Sequence, residues 1–471
     1  MRTAAVAERA LPTRADLPSS GSAVHLMGLG GAGMRGLAAL MAWEGYRVSG
    51  CDRNRTTGGV DLEGASVTFL PGHDPAHVRD VALLVYSAAV PEGHTEVAAA
   101  RELGIPTLKR ARALGAMVNG SRLVGVSGTH GKTTIAAMIA IACRAARLDP
   151  RAAVGGRVAA WGGYARRGAG DLAVVEADEF DRSFLELDPH LAVVSSVEPE
   201  HLDSYGNLAA LSDAFVTFAT RAVGRCGVLA CADDPGARET AARVSGALTY
   251  GLGAEADFRV EALGPGEAAQ RCRLHAPTGT LDFALGVPGE HNVCNAGAAL
   301  GAAILLGADP DPLREALATF RGVERRLELL AERADVAIVD DYAHHPTEVR
   351  ASLAALRQGY PDRRLIVVFQ PHLYSRTLAL AADFAEALGA ADAAHVLPIY
   401  PAREEPISGV TSELIVEAAP AHVRPVTWEE ALEVVRRATG TPTALVFMGA
   451  GDVTELARQA ARELGADALG V

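Results

Sequence analysis

The chain has 471 residues, room for roughly three domains of about 150 residues each, and its 49% apolar content can fill their cores. A formal net charge of −13 argues against a nucleic-acid partner, because phosphate backbones demand clustered basic residues, and no apolar run approaches the ~20 residues of a membrane span. Cys51, Cys143, Cys226, Cys231, Cys272 and Cys294 show no Cys-x-x-Cys or Cys/His ligand spacing and read as reduced thiols of a cytoplasmic protein.

Residues 1–22 are polar, Ala/Arg-mixed and without an apolar h-region, which reads as a loose tail and not a signal peptide. The first segment, 1–120, opens with Val24-His25-Leu26-Met27-Gly28-Leu29-Gly30-Gly31-Ala32-Gly33 and runs strand–helix–strand to Arg47–Asp52. Apolar runs at Ala65–Leu70, Val81–Ser87 and Pro106–Lys109 alternate with helical stretches up to about Asn119. This is a Rossmann-like βαβ pattern, with an acid, Asp52, some 20 residues after the glycines. The glycine turn lets backbone approach a pyrophosphate closely; NAD, FAD and UDP remain equally open on its spacing alone.

The second segment, 121–321, starts with the strand Leu123–Ser127 and passes directly into Gly128-Thr129-His130-Gly131-Lys132-Thr133-Thr134. Lys132 is one of only two lysines, against 42 arginines. A compact ammonium beside a helix N-terminus and glycine backbone N–H groups suits a polyphosphate, and a planar guanidinium is no substitute. The turn predicts ATP binding, with the Thr133 hydroxyl on Mg²⁺. Two continuous apolar strands follow, Leu172–Glu176 and Leu191–Val197. Glu176, at the end of the first, is placed as a metal-ligating acid, and His201 stands in the parallel position after the second. Shorter β-like pieces from Ala247 to Val287 precede a helix beginning near His291.

The third segment, 322–471, alternates amphipathic helices with strands at Val336–Asp340, Leu365–Gln370, His395–Tyr400, Pro425–Trp428 and Ala444–Met448. Asp340-Asp341-Tyr342-Ala343-His344-His345-Pro346-Thr347-Glu348 and Phe369-Gln370-Pro371-His372-Leu373-Tyr374-Ser375-Arg376-Thr377 each end a strand and begin a helix. Two such polar strand ends predict a substrate site. The fold class expected is α/β in three domains: Rossmann-like, P-loop ATPase-type and Rossmann-like.

Taken together, these motifs closely resemble the Mur ligases, from about Val24 to Asp452 and in that family's order. Further elements of the resemblance are Glu-Ala-Asp-Glu from Glu176, Glu-Pro-Glu-His-Leu-Asp from Glu198, Gly289-Glu290-His291-Asn292-Val293-Cys294-Asn295 and Phe320-Arg321-Gly322-Val323-Glu324-Arg325-Arg326. The resemblance implies ATP-dependent ligation of L-alanine to the carboxylate of UDP-N-acetylmuramate, through an acyl phosphate and a tetrahedral intermediate, in peptidoglycan precursor synthesis. It implies a UDP-substrate site at His25, Gly28, Gly30, Gly31, Gly33, Asp52, His73 and Ser87. It places ATP at Gly128 to Thr134 with His291, Asn292 and Asn295. Tyr342, His344 and Arg376 would bind the amino acid in a third domain that closes over the site. Lys132, Glu176, His201, Arg326 and His344 would be catalytic, and Thr133, Glu176 and His201 would hold two Mg²⁺ ions. The chain would work on small molecules in the cytoplasm, without membrane insertion, as a monomer or homodimer. Several members hold a modified lysine near the second metal; the stretch from Leu208 to Arg225 contains no lysine, which agrees with the alanine-adding branch. A murein-tripeptide ligase paralogue shares most motifs and Arg325-Arg326-Leu327-Glu328 leans its way, whereas the Phe369–Thr377 stretch leans to the alanine-adding branch. A nucleotide-binding relative with weak or no ligase activity is the remaining alternative. Departures from the family pattern are Leu373 at a usual Arg, Cys51 at a small polar residue, Phe180 and Arg182 at smaller residues, and Arg403 near a usual glycine.

Overall fold

The computed structural model describes residues 10–53, 64–200, 202–264, 266, 269–333, 335–402, 404–438, 440–463 and 465. Two compact units emerge: one runs to Gly286 and resumes over Cys294–Arg321, and the other comprises Val287–Val293 and the chain from Gly322 onward.

The first unit carries two sheets. Strands β1 (Ala23–Met27), β2 (Arg47–Asp52), β3 (Val67–Pro71), β4 (Leu83–Tyr86) and β5 (Thr107–Lys109) form a parallel sheet in the order β3-β2-β1-β4-β5. The order reverses at β1, so the turn after it faces a crevice flanked by the ends of β2 and β4, where parallel sheets bind ligands. The second sheet has ten strands: β6 (Arg122–Ser127), β7 (Arg151–Val158), β8 (Gly163–Arg166), β9 (Leu172–Glu176), β10 (Leu191–Val194), β11 (Gly227–Cys231), β12 (Leu248–Gly251), β13 (Phe258–Gly264), β14 (Gln270–Ala276) and β15 (Gly279–Leu285). Its order is β15-β14-β13-β12-β11-β10-β6-β9-β7-β8. Buried on both faces, β6, β9 and β10 read as unbroken apolar runs. Here the order reverses at β6, between β10 and β9, and the phosphate turn leaves from that point.

Residues 10–22, expected as part of a loose tail, are anchored instead. Tyr46 Oη donates to the Pro18 carbonyl (2.8 Å), Asn119 Nδ2 to that of Pro12 (2.9 Å) and Arg112 to that of Ala10 (3.2 Å), while Leu17 is buried. Polar composition concealed a segment held by its carbonyls.

The second unit contains β16 (Glu328–Glu332), β17 (Val336–Asp341), β18 (Arg364–Phe369), β19 (Ala393–Val396), β20 (Val423–Pro425) and β21 (Thr443–Met448), ordered β16-β17-β21-β18-β19-β20. All neighbours are parallel except the edge strand β16. Each face of the sheet carries its own apolar core, one around Phe369, Phe384 and Leu353, the other around Phe447, Leu456 and Val435. Two expected strands of this unit end early, as β10 of the first unit does at Val194 where a strand to Val197 was expected. Strand β19 stops at Val396, just before Pro398 withholds an N–H, and β20 stops at Pro425, before a capping box of Thr427 and Glu430 starts the helix Trp428–Arg437. The sequence does not predict β7, β8, β11 and β16: β7 and β8 are rich in Ala, Gly and Arg, β16 is closed by Glu at both ends, and the five-residue apolar run of β11 is too short to tell from a buried helix segment. Among the described residues, no helix is long and apolar enough to cross a membrane.

Candidate active site

Strand β6 ends at Ser127, and the next four residues turn the chain into the helix Lys132–Ala145. Gly128 (φ +133°) and Gly131 (φ +78°) adopt backbone that side chains resist, and a Cβ at Gly128 would press on the Ser195 hydroxyl and stand 2.8 Å from the Ser196 N–H nitrogen. The end of β10 fixes the turn. Thr129 N–H donates to the Ser196 carbonyl and His130 N–H to the Ser196 hydroxyl, both at 2.9 Å, and Glu198 N–H donates to Thr129 Oγ1 at 2.9 Å. His130 Nε2 lies 3.3 Å from Glu198 Oε2. Asn295 comes to the same turn, 3.1 Å from where a Cβ on Gly131 would sit. The first-turn N–H groups of the helix have no intrahelical acceptor, which makes this turn an anion site.

Lys132 folds back over the turn. Its ammonium donates to the carbonyls of Gly128 and Thr129, the latter at 3.1 Å, and to both oxygens of Glu179 at 3.1 and 2.9 Å. Burial disfavours the ammonium, but Glu179, Asp178 and Glu176 outweigh it and hold the Lys132 pKa above the ordinary lysine value. Burial pushes Glu179 up to about 7, against the pull of Lys132. The Thr133 hydroxyl donates to Glu176 Oε2 at 2.9 Å, and Gly155 N–H donates to the same oxygen at 2.6 Å. A hydroxyl and a carboxylate this close are the hard oxygen donors that Mg²⁺ takes. The loop after Glu176 is bent by left-handed Asp181 (φ +52°) and Arg182 (φ +57°), and Arg182 stacks over Tyr205, whose hydroxyl donates to the Glu179 carbonyl at 2.6 Å. His201 lies outside the described residues, as does Arg403.

At the first sheet, Gly28 (φ +86°) donates to the Cys51 carbonyl at 2.9 Å, and Gly31 donates to that of Gly28 at 3.1 Å. Gly30 N–H donates to Asp52 Oδ2 at 2.9 Å, and a Cβ on Gly28 would stand 3.1 Å from Ser87 Cβ. Glycine turn, Asp52 and Ser87 therefore share the crevice. Gly33 abuts Arg110, whose guanidinium also donates to Asp178 at 3.3 Å. His25 is fully buried, its ring between Ser49 Oγ (2.9 Å) and Cys51 Sγ (3.3 Å), and His73 turns to Glu96 at 3.0 Å.

In the second unit, Tyr342 follows β17 with the guanidinium carbons of Arg325 and Arg326 at 4.8 and 5.1 Å from its ring centre. Glu348 organises the corner: it accepts from Arg326 at 3.3 Å and from His344 N–H at 3.0 Å, with His344 Nδ1 3.1 Å away. The ring of His344 lies 5.2 Å from that of Tyr342 and 6.0 Å from that of His372, and Arg376 Nη1 is 3.3 Å from His372 Nδ1. Tyr342, His344, Arg326 and Arg376 are thus brought to one corner. Leu373 there holds φ +72°, its N–H on the Tyr400 carbonyl at 3.0 Å. His291 and Asn292 belong to this unit. Asn292 Nδ2 donates to the Pro288 carbonyl at 2.7 Å, and burial, with the charge of Arg326, lowers the His291 pKa to about 4.

Three family models match in chain order: the Mur ligase family catalytic domain over residues 23–122, the Mur ligase middle domain over 126–303 and the Mur ligase glutamate ligase domain over 325–451. The chain belongs to the Mur ligase family. This Mur ligase is 42% identical over 462 residues to the UDP-N-acetylmuramate–L-alanine ligase of Streptomyces coelicolor, covering 96% of this chain and 99% of that one. It is 45% identical over 446 residues to the enzyme of the same name from Kineococcus radiotolerans, covering 92% and 94%. The crystal structure of UDP-N-acetylmuramate-alanine ligase MurC from Thermotoga maritima matches with a TM-score of 0.79 at 27% identity, over 94% of this chain and 99% of that one. A murein peptide ligase from Psychrobacter arcticus shares the fold, with a TM-score of 0.70 at 23% identity over 96% and 100%.

Sequence reasoning did not single out Glu179, Arg110, Ser196, Glu198 or Glu348 of this Mur ligase. Glu179 had a signal, the four acids between Glu176 and Asp181, yet only the strand-end acid attracted a role. Arg110 had none, since its contacts come from distant parts of the chain.

Proposed function

We propose that this Mur ligase joins L-alanine to the carboxylate of UDP-N-acetylmuramate, converting ATP to ADP and phosphate, in the synthesis of peptidoglycan precursors. Lys132, held over the phosphate turn beside the Thr133–Glu176 pair, is the observation that carries the reading. The near-full-length likeness to alanine-adding ligases supports the choice of substrates.

A free carboxylate is a poor acyl donor. Phosphorylation by ATP turns it into an acyl phosphate, the amine of L-alanine adds to the carbonyl, and phosphate leaves from the tetrahedral intermediate. Most of this work is positioning and charge stabilisation. Lys132 and the N–H groups of the turn bind the transferring phosphoryl group, and Arg326 neutralises charge on it. Thr133 and Glu176 would hold Mg²⁺, with His201 assigned to a second ion; the metal supplies charge neutralisation on the phosphates. His291, Asn292 and Asn295 are assigned to the adenine, the Gly28–Gly33 turn with Asp52 and Ser87 to the UDP moiety, and Tyr342, His344 and Arg376 to the amino acid. The segments 1–120, 121–321 and 322–471 correspond to UDP-substrate, ATP and amino-acid domains, and the nucleotide substrates place the work in the cytoplasm.

Purified protein with ATP, Mg²⁺ and UDP-N-acetylmuramate, challenged with L-alanine, glycine, L-serine or the murein tripeptide, should release phosphate most efficiently with L-alanine. Release only with the tripeptide would assign the chain to the recycling paralogue. No amine-dependent release would remove the ligase reading.

A further inference from the structure

Within the first sheet, behind the glycine turn that starts at Gly28, four side chains of metal-binding chemistry converge. They come from four elements: His25 on β1, Cys51 on β2, His77 in the helical turn Pro75–Val78 and Glu96 in the helix Thr95–Glu102. One ligand atom from each lies within 4.8 Å of all the others. His25 Nε2 is 3.3 Å from Cys51 Sγ and 4.0 Å from Glu96 Oε1; Cys51 Sγ is 3.4 Å from the carboxylate, and His77 Nδ1 is 2.7 Å from Oε1. A tetrahedral zinc ion with bonds of about 2.0–2.3 Å spaces its ligand atoms roughly 3.3–3.7 Å apart, which is the scale of this cluster.

We propose that His25, Cys51, His77 and Glu96 form a zinc site. Three further features fit. His25, Cys51 and Glu96 are fully buried, and a thiolate plus a carboxylate around Zn²⁺ sum to zero charge, the state a dry interior tolerates. The Ser49 hydroxyl, which donates to the Val24 carbonyl at 3.4 Å, accepts from His25 Nδ1 at 2.9 Å and so leaves the Nε2 lone pair directed at Cys51. Glu96 is itself oriented from outside the set, by His73 on Oε2 (3.0 Å) and by Asp74 N–H on Oε1 (3.1 Å). Mixed imidazole, thiolate and carboxylate ligands in a closed tetrahedral shell suit Zn²⁺ better than Mg²⁺. Binding releases the Cys51 thiol proton to solvent and replaces its hydrogen bond to Glu96 by a metal–sulfur bond. The site takes His25 from the UDP-substrate set that the resemblance implied, and it is separate from the Thr133–Glu176 pair.

Untagged full-length protein, stripped with EDTA and titrated with Co²⁺, should bind one ion with a near-ultraviolet thiolate-to-cobalt band that Zn²⁺ bleaches. Cys51→Ser should lose the band. His77→Asn should weaken binding by tenfold or more, and Cys231→Ser, which alters the other buried thiol near an acid, should leave it unchanged. No band in the wild type, or one that survives Cys51→Ser, overturns the proposal. X-ray absorption on the wild-type zinc protein decides the matter without any variant. One sulfur at about 2.3 Å with N/O ligands at about 2.0–2.2 Å is expected; a shell of N/O alone overturns it.

Discussion

Lys132→Met deletes the ammonium that stands 3.1 and 2.9 Å from the two oxygens of Glu179, whose side chain is 2% exposed. Breaking a buried pair by removing one partner costs about 3–5 kcal/mol. Glu179 can limit that cost by taking up a proton, since burial already holds its pKa up to about 7 with Lys132 present and the value climbs further without the ammonium. A carboxylate with a folded pKa above its unfolded 4.5 binds an extra proton only in the folded state, so stability falls as the pH rises through the folded value. The variant should therefore lose about 1 kcal/mol at pH 5 and about 3–5 kcal/mol at pH 8 to 9. Urea unfolding without nucleotide measures this, in a Trp428→Phe background so that Trp43 and Trp161 report on the first unit. Lys132→Met/Glu179→Gln should recover at least half of the loss at pH 8, because no unpaired charge remains, while neither variant turns over ATP. A loss under about 1 kcal/mol at pH 8, or a double variant no more stable than the single, would refute the argument that this pair is desolvated.

Gly128→Ala puts a methyl group against Ser195 and 2.8 Å from Ser196 N at φ +133°, so ADP affinity by calorimetry should fall at least tenfold; wild-type affinity would mean the turn is not rigid. Glu176→Gln keeps the size of the group that accepts from Thr133 and Gly155 but removes its charge. It should raise the Mg²⁺ concentration for half-maximal turnover about tenfold or more, and an unchanged Mg²⁺ titration would dissociate Glu176 from the metal. Asp341 is buried and its pKa is raised from 3.8 to about 6, chiefly by burial. Its contribution to stability is complete below pH 4 and is lost as the pH rises through 6, so the second unit should lose about 2–3 kcal/mol between pH 4 and 7.5, flattened in Asp341→Asn, as read by thermal melts.

The phosphate turn was legible because its glycines and lysine follow a strand buried on both faces, and few other local structures require that order. Strands rich in Val and Ile were legible for the same reason. Arg151–Val158, with its Ala-Ala-Val-Gly-Gly core, pairs along β9 through neighbours that the sequence alone does not supply. Glu179 was hidden by a different effect: the strand register points to Glu176, and it takes the left-handed pair Asp181 and Arg182 to bend the loop that holds Glu179 on Lys132. The six cysteines gave no ligand spacing, and none join in disulfides. Cys51 meets His25 because β1 and β2 are adjacent and parallel, with Met27 opposite Cys51 and His25 opposite Ser49. Topology, not spacing, assembles that cluster.

Arg110 belongs to two neighbourhoods at once. A Cβ on Gly33 would meet its guanidinium at 2.9 Å, and that same guanidinium grips Asp178 at 3.3 Å, one residue before the acid that holds Lys132. Beside it, Lys109 reaches Asp181 at 2.8 Å. The two lysines of this chain therefore finish on one short acidic loop, Lys132 from the phosphate turn and Lys109 from the end of the first sheet. That loop is therefore a junction: Arg110, which abuts Gly33 of the first turn, holds Asp178, and Lys132 of the phosphate turn holds the next residue, Glu179.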